Sequence, residues 1–366
     1  MASFRVLPRT ETAAATCGIA GLDTAVAALR AWWDGTPLPR NASGFEAASV
    51  LLAQNRLLGL AGAALAARSG DPAVANKIAA FRSLTARMNG ESLLLMRNLV
   101  RLLADLPAPT VVYKGVLLQE QLYGTPFARP SSDVDILTAP RHYAAVAARL
   151  TRAGYALDPH TATIWWRRFL AEQQFRAPGA KQSIDLHHRI QQPGCPLPRA
   201  PERFLAEARR RPALGGQVLV LRHDHALLVA AMSLAKALHH REPSGRYASD
   251  VAWMLRRLSA ADWEAAVAEA ELQGQRRTLD LAVRCADAIF GPSQKPLSRP
   301  ILEEIDDPGL QGMLLAPAST GAWIRRRRLL AAISDRRRDF PRDWLLMAAS
   351  ETARRASPSP ERPHVG

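Results

Sequence analysis

The sequence contains few cysteines and no long apolar run. Three of its 366 residues are cysteine, and Cys17, Cys195 and Cys285 lie too far apart for a CxxC pair or a disulfide framework. This usage is typical of a reducing compartment, and the N-terminal residues lack the order of a signal peptide, so we expect a cytoplasmic protein. The longest apolar stretches, such as "LLGLAGAALAA", are too short to cross a bilayer, so we expect no membrane partner.

Several common functional motifs are also missing. The sequence has no P-loop, no G-x-G-x-x-G, no H-E-x-x-H and no G-x-S-x-G. Its histidines and cysteines do not show the ligand spacing of a structural zinc motif. These absences exclude the commonest nucleotide-binding loops and hydrolase sites.

The composition is that of a globular protein with an excess of positive charge. Apolar residues make up 48% and charged residues 22% of the chain, which is ordinary for a folded domain. Lys and Arg number 48 against 33 Asp and Glu, which gives a formal net charge of +15. Two explanations stay open: an anionic partner such as a nucleotide, nucleic acid or acidic peptide, or the arginine usage of a GC-rich genome.

The pattern of apolar residues divides the chain into four regions. Apolar residues recur at three- and four-residue spacing before the prolines at 107 and 109, and again after about residue 222, which indicates helices. The final segment, rich in Ser, Pro and Arg, is typical of disorder. We therefore expect a helical N-terminal region (1–105), a core (106–220), a helical C-terminal region (221–350) and a disordered tail (351–366).

The core alternates between strand and helix patterns. "TVVY" predicts a strand, a helix follows from Val116 to Tyr123, and "DVDIL" predicts a second strand before the helix "PRHYAAVAARLTRAG". "TATIWWRRFL" and "KQSIDLHHRI" read as two further strands around the turn "APGA". This order predicts an α+β fold: a small mixed β-sheet core with helical N-terminal and C-terminal regions.

Carboxylates mark one face of this predicted sheet. Residues i and i+2 of a strand project from the same face, so Asp133 and Asp135 point together while Val134 and Ile136 point into the core. Their repulsion is relieved if both bind a divalent cation, and the same alternation places Asp185 as a third acid on a neighbouring strand. The alternative is a solvated strand edge with an acidic pair at a loop.

A lysine-glycine turn precedes the carboxylates. Lys114 and Gly115 lie where a strand gives way to a helix, so a phosphate can approach the free N–H groups of the helix end. Lys114 or Arg129 can neutralise a triphosphate, and the guanidinium of Arg129 suits a bidentate contact. Alternatively, Gly115 is a plain turn and the two cations are surface charges. Lys236 and Asp250 are further candidates to reach a nucleotide, or else ordinary helix contacts.

The order "KGVLLQEQLYG…ARPSSDVDIL…SIDLHHRI" resembles the polymerase-beta-type nucleotidyltransferase superfamily, and most of all its uncharacterised bacterial nucleotidyltransferase family. Abortive-infection-type nucleotidyltransferase toxins are similar at a greater distance. The resemblance extends over about residues 90 to 260. It implies that Asp133, Asp135 and Asp185 are catalytic acids that bind Mg²⁺ or Mn²⁺, with Asp185 as the activator of the attacking hydroxyl.

The resemblance also implies a phosphate-binding set. Gly115 and Ser132 would border the nucleotide phosphates, with Lys114 and Arg129 as their charge partners. The chain departs from the superfamily pattern, because the usual Gly-Ser pair is Lys-Gly here, followed by Val116. The gap to the first aspartate is also longer than in polymerase-like members.

These observations favour a magnesium-dependent nucleotidyltransferase. Its substrate would be a nucleoside triphosphate, and its acceptor a hydroxyl on a small molecule, peptide, protein or RNA. The alternative is a catalytically silent protein of the same fold that binds RNA or a peptide. The three intact acids favour the enzyme, whereas the altered turn leaves the silent protein open.

Overall fold

The computed structural model describes residues 18–104, 109–177, 179–214, 216–320 and 324–356. Cys17 lies outside the described residues, as does the segment 357–366 of the expected tail. Within the described residues, every helix is too short or too polar to span a membrane.

Helices make up most of the described chain. The α-helices are α1 (Leu22–Asp34), α2 (Phe45–Gln54), α3 (Leu58–Ser69), α4 (Pro72–Ala104), α5 (Gly115–Tyr123), α6 (Tyr143–Arg152), α7 (Arg203–Ala206), α8 (His223–His240), α9 (Gly245–Arg257), α10 (Ala260–Gln273), α11 (Arg276–Phe290), α12 (Asp307–Leu315), α13 (Arg326–Ile333) and α14 (Asp339–Ala356). Helix α14 extends six residues into the segment expected to form a tail.

The strands form one mixed sheet between the helices. They are β1 (Thr110–Val112), β2 (Asp133–Thr138), β3 (Ala156–Leu157), β4 (Glu172–Arg176), β5 (Ser183–His187), β6 (Arg209–Ala213) and β7 (Gly216–Val220). Their order in this seven-stranded sheet of the described chain is β3-β4-β5-β2-β1-β7-β6. The β2–β5 and β1–β7 pairs are parallel, and the other neighbours are antiparallel.

One face of the sheet is covered by α4 and α6. The β2 and β5 residues predicted to point into the core, including Val134, Ile136 and Ile184, are at most 1% exposed. They share one apolar cluster with Leu99 of α4 and Val146 of α6. Because side chains alternate along a strand, burial of this face presents the carboxylates of β2 and β5 on the opposite face.

The opposite face of the sheet adjoins a second, larger core. Helix α8 is buried on nearly all sides, as expected for a helix that is apolar around its whole circumference. Helices α1 to α3 and α8 to α12 contribute to the same cluster, together with Val111 and Leu137 from the sheet. The N-terminal and C-terminal helical regions therefore pack together, and the α+β fold is confirmed.

Two parts of the core differ from the sequence prediction. The segment "TATIWWRRFL" is not a strand, because Trp166–Leu170 forms a short π-helix. A short aromatic run does not distinguish helix from strand by periodicity. Strands β3, β4, β6 and β7 were not predicted, since "EQQFR" and "RRRPA" are polar and show no apolar alternation.

The described cysteines are structural. Cys195 and Cys285 are free and buried. Burial raises the pKa of both thiols to about 12. Neither is a reactive thiolate at neutral pH.

Candidate active site

A cavity lies between the carboxylate-bearing face of the sheet and helices α8 and α9. Small residues of α8, among them Ala226, Ala230 and Ala237, leave space above the strands. The polar side chains that line the cavity come from Arg56, Lys114, Gln119, Arg129, Ser131, Asp133, Asp135, Glu172, Asp185, His187, Ser233, Lys236, Glu242, Arg246, Tyr247 and Asp250.

The structure brings the three predicted acids together in this cavity. Asp135 of β2 and Asp185 of β5 are direct Cα partners in the parallel ladder, and Asp133 lies two residues before Asp135. A fourth acid, Glu172 of β4, lies beside them because it pairs with His187. We name Asp133, Asp135, Glu172 and Asp185 the acidic wall.

Burial and mutual repulsion perturb the acidic wall. Burial, followed by the charge of Asp135, raises the pKa of Asp133. Burial also raises the pKa of Asp185 well above its ordinary value, with Asp133 and Asp135 as the next contributions. Burial opposes ionisation of Asp135 too, but Lys114 and the hydrogen bond from His187 outweigh it and hold the pKa of that carboxyl below its usual range. Burial and like charge therefore disfavour ionisation of Asp133 and Asp185, whereas Asp135 is stabilised as a carboxylate.

Protein groups already contact three of the four carboxylates. The Nζ of Lys114 lies 3.8 Å from Oδ1 of Asp135. His187 lies between two acids, with Nε2 3.1 Å from Asp135 and Nδ1 3.8 Å from Glu172. The Oδ1 of Asp185 accepts a hydrogen bond of 2.8 Å from the hydroxyl of Ser183.

The donor chemistry of the acidic wall fits a hard divalent cation. In the described residues, no three His, Cys, Asp or Glu side chains are already arranged as a metal-binding group. Asp135 is hydrogen-bonded to His187, and Asp185 accepts a hydrogen bond from Ser183. Carboxylate oxygens are nevertheless the ligands that Mg²⁺ and Mn²⁺ prefer, and excess buried negative charge favours a cation.

The lysine-glycine turn leads directly into the cavity. Gly115 has a φ of +73°, in the left-handed region that favours glycine, and begins α5. A Cβ at this position would lie 3.3 Å from the carbonyl oxygen of Asp133. No side chain caps the start of α5. Gly115, the first residue of α5, lines the same cavity as the acidic wall, so the start of this helix is placed to receive a phosphate there.

Arg129 has a different environment from the one expected of a phosphate ligand. Its Nη2 lies 2.6 Å from Oδ2 of Asp250, and its Nη1 donates to the carbonyl oxygen of Arg246 at 3.0 Å. Tyr123 donates a second hydrogen bond to Asp250, at 2.7 Å. Arg129 therefore lines the cavity while its guanidinium joins the core to α9.

Ser132, predicted to border the nucleotide phosphates, has a different position from the one expected. Among the described residues, Ser131 lines the cavity and Ser132 does not. Both serines precede β2, where strand alternation does not apply, and the hydroxyl of Ser131 donates to the carbonyl oxygen of Asp133 at 3.4 Å. No pattern in the sequence distinguishes Ser131 from Ser132.

Three further cations line the cavity, of which the sequence had suggested only Lys236. Arg56 follows α2, Lys236 is on α8, and Arg246 is on α9. In the described part of the chain, none of the three forms an ion pair with a carboxylate, although Arg246 donates to the hydroxyl of Tyr247 at 2.8 Å. We name Arg56, Lys236 and Arg246 the cationic wall.

Residues 42–291 match the family described as "Uncharacterised nucleotidyltransferase". The chain belongs to this nucleotidyltransferase family. No curated protein matches the chain. The family segment is longer than the stretch of about 90 to 260 that the motifs suggested, and it includes α2, α3 and most of the helices after the sheet.

The matched family segment includes all the residues of both walls. Arg56, near the start of the family segment, and Arg246, near its end, line the same cavity as the acids of the sheet. Helices α2 to α4 are therefore part of the nucleotidyltransferase segment, whereas α1 precedes it, and the turn after α2 contributes Arg56 to the cavity.

Proposed function

We propose that the protein is a magnesium-dependent nucleotidyltransferase that transfers a nucleotidyl group from a nucleoside triphosphate to an acceptor hydroxyl. The observation that carries this proposal is the convergence of Asp133, Asp135 and Asp185 on adjacent parallel strands, beside the uncapped start of α5. Such transfer depends on positioning and charge neutralisation more than on a covalent nucleophile.

The chain's own residues have separable roles in this proposal. Asp133 and Asp135 would hold Mg²⁺ or Mn²⁺, which when bound neutralises phosphate charge and orients the reacting phosphate. Asp185 would accept the proton of the acceptor hydroxyl, and its raised pKa brings it closer to the range of an effective base. Gly115 would let the phosphates approach the start of α5, and Lys114 would offset their charge.

The acceptor belongs to one of four classes: a small molecule, a peptide, a protein or RNA. The net charge of +15 favours an anionic acceptor on electrostatic grounds but does not choose among these classes. Acceptor identity therefore has to come from the transfer experiment itself.

Label transfer tests the proposal. The protein is incubated with Mg²⁺, a cell extract and each α-³²P-labelled nucleoside triphosphate in turn, and the RNA, protein and metabolite fractions are examined for label. We expect one fraction to take up label with wild type and none with Asp185→Asn. Glu264→Gln, which removes an exposed carboxylate on α10, is the matched control and should transfer label normally.

A catalytically silent protein that binds RNA or a peptide is the second candidate. Two observations favour it: Lys114 and His187 already contact Asp135, and the usual Gly-Ser pair of the superfamily is Lys-Gly in this chain. Label uptake that depends on Asp185 contradicts the silent protein. RNA or peptide binding without label uptake in any fraction contradicts the enzyme.

A further inference from the structure

Arg56 and Arg246 come from distant parts of the chain and are brought together by one buried asparagine. The side-chain oxygen of Asn55 accepts a hydrogen bond of 2.9 Å from the N–H of Gly245. Its side-chain nitrogen donates one of 2.7 Å to the carbonyl oxygen of Leu315. A Cβ on Gly245 would lie 2.9 Å from the side-chain oxygen of Asn55, so this approach requires glycine. Each residue of the Asn55–Gly245 contact is followed directly by an arginine that lines the cavity.

The two arginines lack the partners that ordinarily stabilise buried guanidinium groups. Arg56 donates to the carbonyl oxygen of Pro130 at 3.4 Å, and Arg246 donates to the hydroxyl of Tyr247. Burial, followed by the charge of Arg246, lowers the pKa of Arg56, while the charge of Asp133 across the cavity acts in the opposite direction. Within the described residues neither has a carboxylate at ion-pair distance, in contrast to Arg129 with Asp250.

The pKa of Tyr247 is lowered by nearby positive charge. Burial by itself would raise the pKa of its phenol. Arg246 and Lys114 outweigh burial, however, and hold the pKa of Tyr247 below its ordinary value. Burial and Asp135 raise the pKa of Asp133, and across the cavity the charges of Arg56 and Arg246 act to lower it, so the two arginines face the acidic wall without forming an ion pair with it among the described residues.

We propose that Arg56 and Arg246 clamp the terminal phosphates of the nucleotide, so that the site selects a triphosphate over a monophosphate. The inference rests on the proposed function for the identity of the nucleotide, and it adds the residues that recognise the phosphate tail. Guanidinium groups bind phosphate oxygens in a bidentate manner, and two of them match a doubly charged terminal phosphate. The reacting phosphate would lie nearer the acidic wall, where Asp133 and Asp135 act.

Equilibrium binding tests the clamp without any transfer. The ligands are α,β-methylene ATP, which does not release its nucleotidyl group, and AMP, both with Mg²⁺ and without acceptor. We expect wild type to bind the triphosphate more tightly than AMP. Arg56→Gln and Arg246→Gln should each weaken triphosphate binding about tenfold or more, as for loss of a charge-assisted hydrogen bond. AMP binding should change by less than about twofold, since AMP lacks the phosphates that the clamp contacts.

Controls separate the clamp from general electrostatics and from misfolding. Arg82→Gln removes one exposed arginine of α4 and should leave both affinities unchanged. Arg246→Lys, which keeps the charge but not the planar fork, should recover only part of the triphosphate affinity. Melting temperatures of the ligand-free variants, equal to wild type within a few degrees, would show that the fold is intact.

The clamp and the proposed function have different points of failure. Unchanged triphosphate affinity in both arginine variants, or an equal loss for AMP, would overturn the clamp even if label transfer succeeds. Selective triphosphate binding that depends on Arg56 and Arg246, without label transfer to any fraction, would support the clamp and contradict the enzyme.

Discussion

The two walls of the cavity carry opposite charge and arise in different ways. The acidic wall comes from neighbouring strands, where alternation and register place the side chains. The cationic wall comes from the turn after α2 and from α8 and α9, which meet only through tertiary packing. Each wall holds like charges close together, and Asp133 and Arg56 attract each other across the cavity without an ion pair among the described residues. We infer that their charges are balanced by ligands, with a cation at one wall and phosphate at the other.

Removing an acid should have the largest effect on transfer. Asp133→Asn keeps the side-chain shape but removes charge that the metal needs, so we expect the transfer rate to fall about a thousandfold or more. Apo stability should stay level or rise, because burial and Asp135 already disfavour the Asp133 charge. Label transfer and denaturant unfolding of the same samples provide the check. Loss of the fold, or transfer at the wild-type rate, would contradict the metal-site interpretation.

The arginines of the cavity should separate into structural and ligand-binding groups. Arg129→Met leaves the buried charge of Asp250 without its partner, so we expect a loss of about 3–5 kcal/mol in the free energy of unfolding. Arg246→Gln removes a cation that has no acid partner among the described residues, so its effect should be much smaller. Urea unfolding measures both.

The double variant Arg129→Met, Asp250→Leu tests the cause of the first effect. If an uncompensated charge is responsible, the double variant should recover part of the loss. An Arg129→Met variant as stable as wild type would show that this arginine is available for ligand instead.

Strands β1, β2 and β5 and the three aspartates of β2 and β5 were predictable from the sequence, whereas the other strands and the arginines of the cationic wall were not. Strand alternation identified Asp133, Asp135 and Asp185, because a period of two is a local signal. Glu172 was missed because β4 is polar on both faces, with Gln173 bonded to Tyr143 on the far side. Arg56 and Arg246 have no local signature at all, since a buried asparagine contact across 190 residues sets their position.

Arg129 shows why a matched motif position does not establish a role. The motif places it upstream of the acids, as expected, but its partner Asp250 lies in a helix 121 residues later. Sequence patterns report which residues share a strand or helix face. They do not show which distant side chain will form an ion pair with a given charged residue.

The acidic wall should make the stability of the metal-free protein fall as pH rises. The pKa of Asp185 is raised by burial and by its acidic neighbours, so the native state holds its proton to higher pH than the unfolded chain. Stability is then lost as pH rises from about 4, the unfolded value, through the folded pKa.

Asp185→Asn should remove this pH dependence. In EDTA, the variant should be more stable than wild type at pH 7, and the difference should vanish below about pH 4. Urea unfolding across this range measures it. A variant that is less stable than wild type at pH 7 would show that Asp185 is stabilised as a carboxylate by its neighbours.

The positive charge of the cationic wall should have a smaller effect, which is a lowered pKa of Tyr247 in a spectroscopic titration. Four of the five tyrosines, Tyr113, Tyr123, Tyr143 and Tyr155, have pKa values raised by burial. Tyr247 alone among these five has a lowered pKa. The first phenolate to form in an absorbance titration should therefore belong to Tyr247, and Tyr247→Phe should remove that step. Arg246→Gln should move the step to higher pH. A first step that survives Tyr247→Phe would contradict the charge assigned to this wall.

Thermal unfolding with a nucleotide tests most directly whether the two walls form one site. Wild type, Asp133→Asn and Arg56→Gln are melted with and without Mg²⁺ and α,β-methylene ATP. A ligand that binds only the native state at about 100 times its Kd stabilises it by about 2.7 kcal/mol. We predict a clear rise in the wild-type melting temperature and a much smaller rise in both variants, because each lacks a charge from one wall. A wild-type melting temperature that does not change with saturating nucleotide and Mg²⁺ would contradict the proposal that the two walls form one nucleotide site.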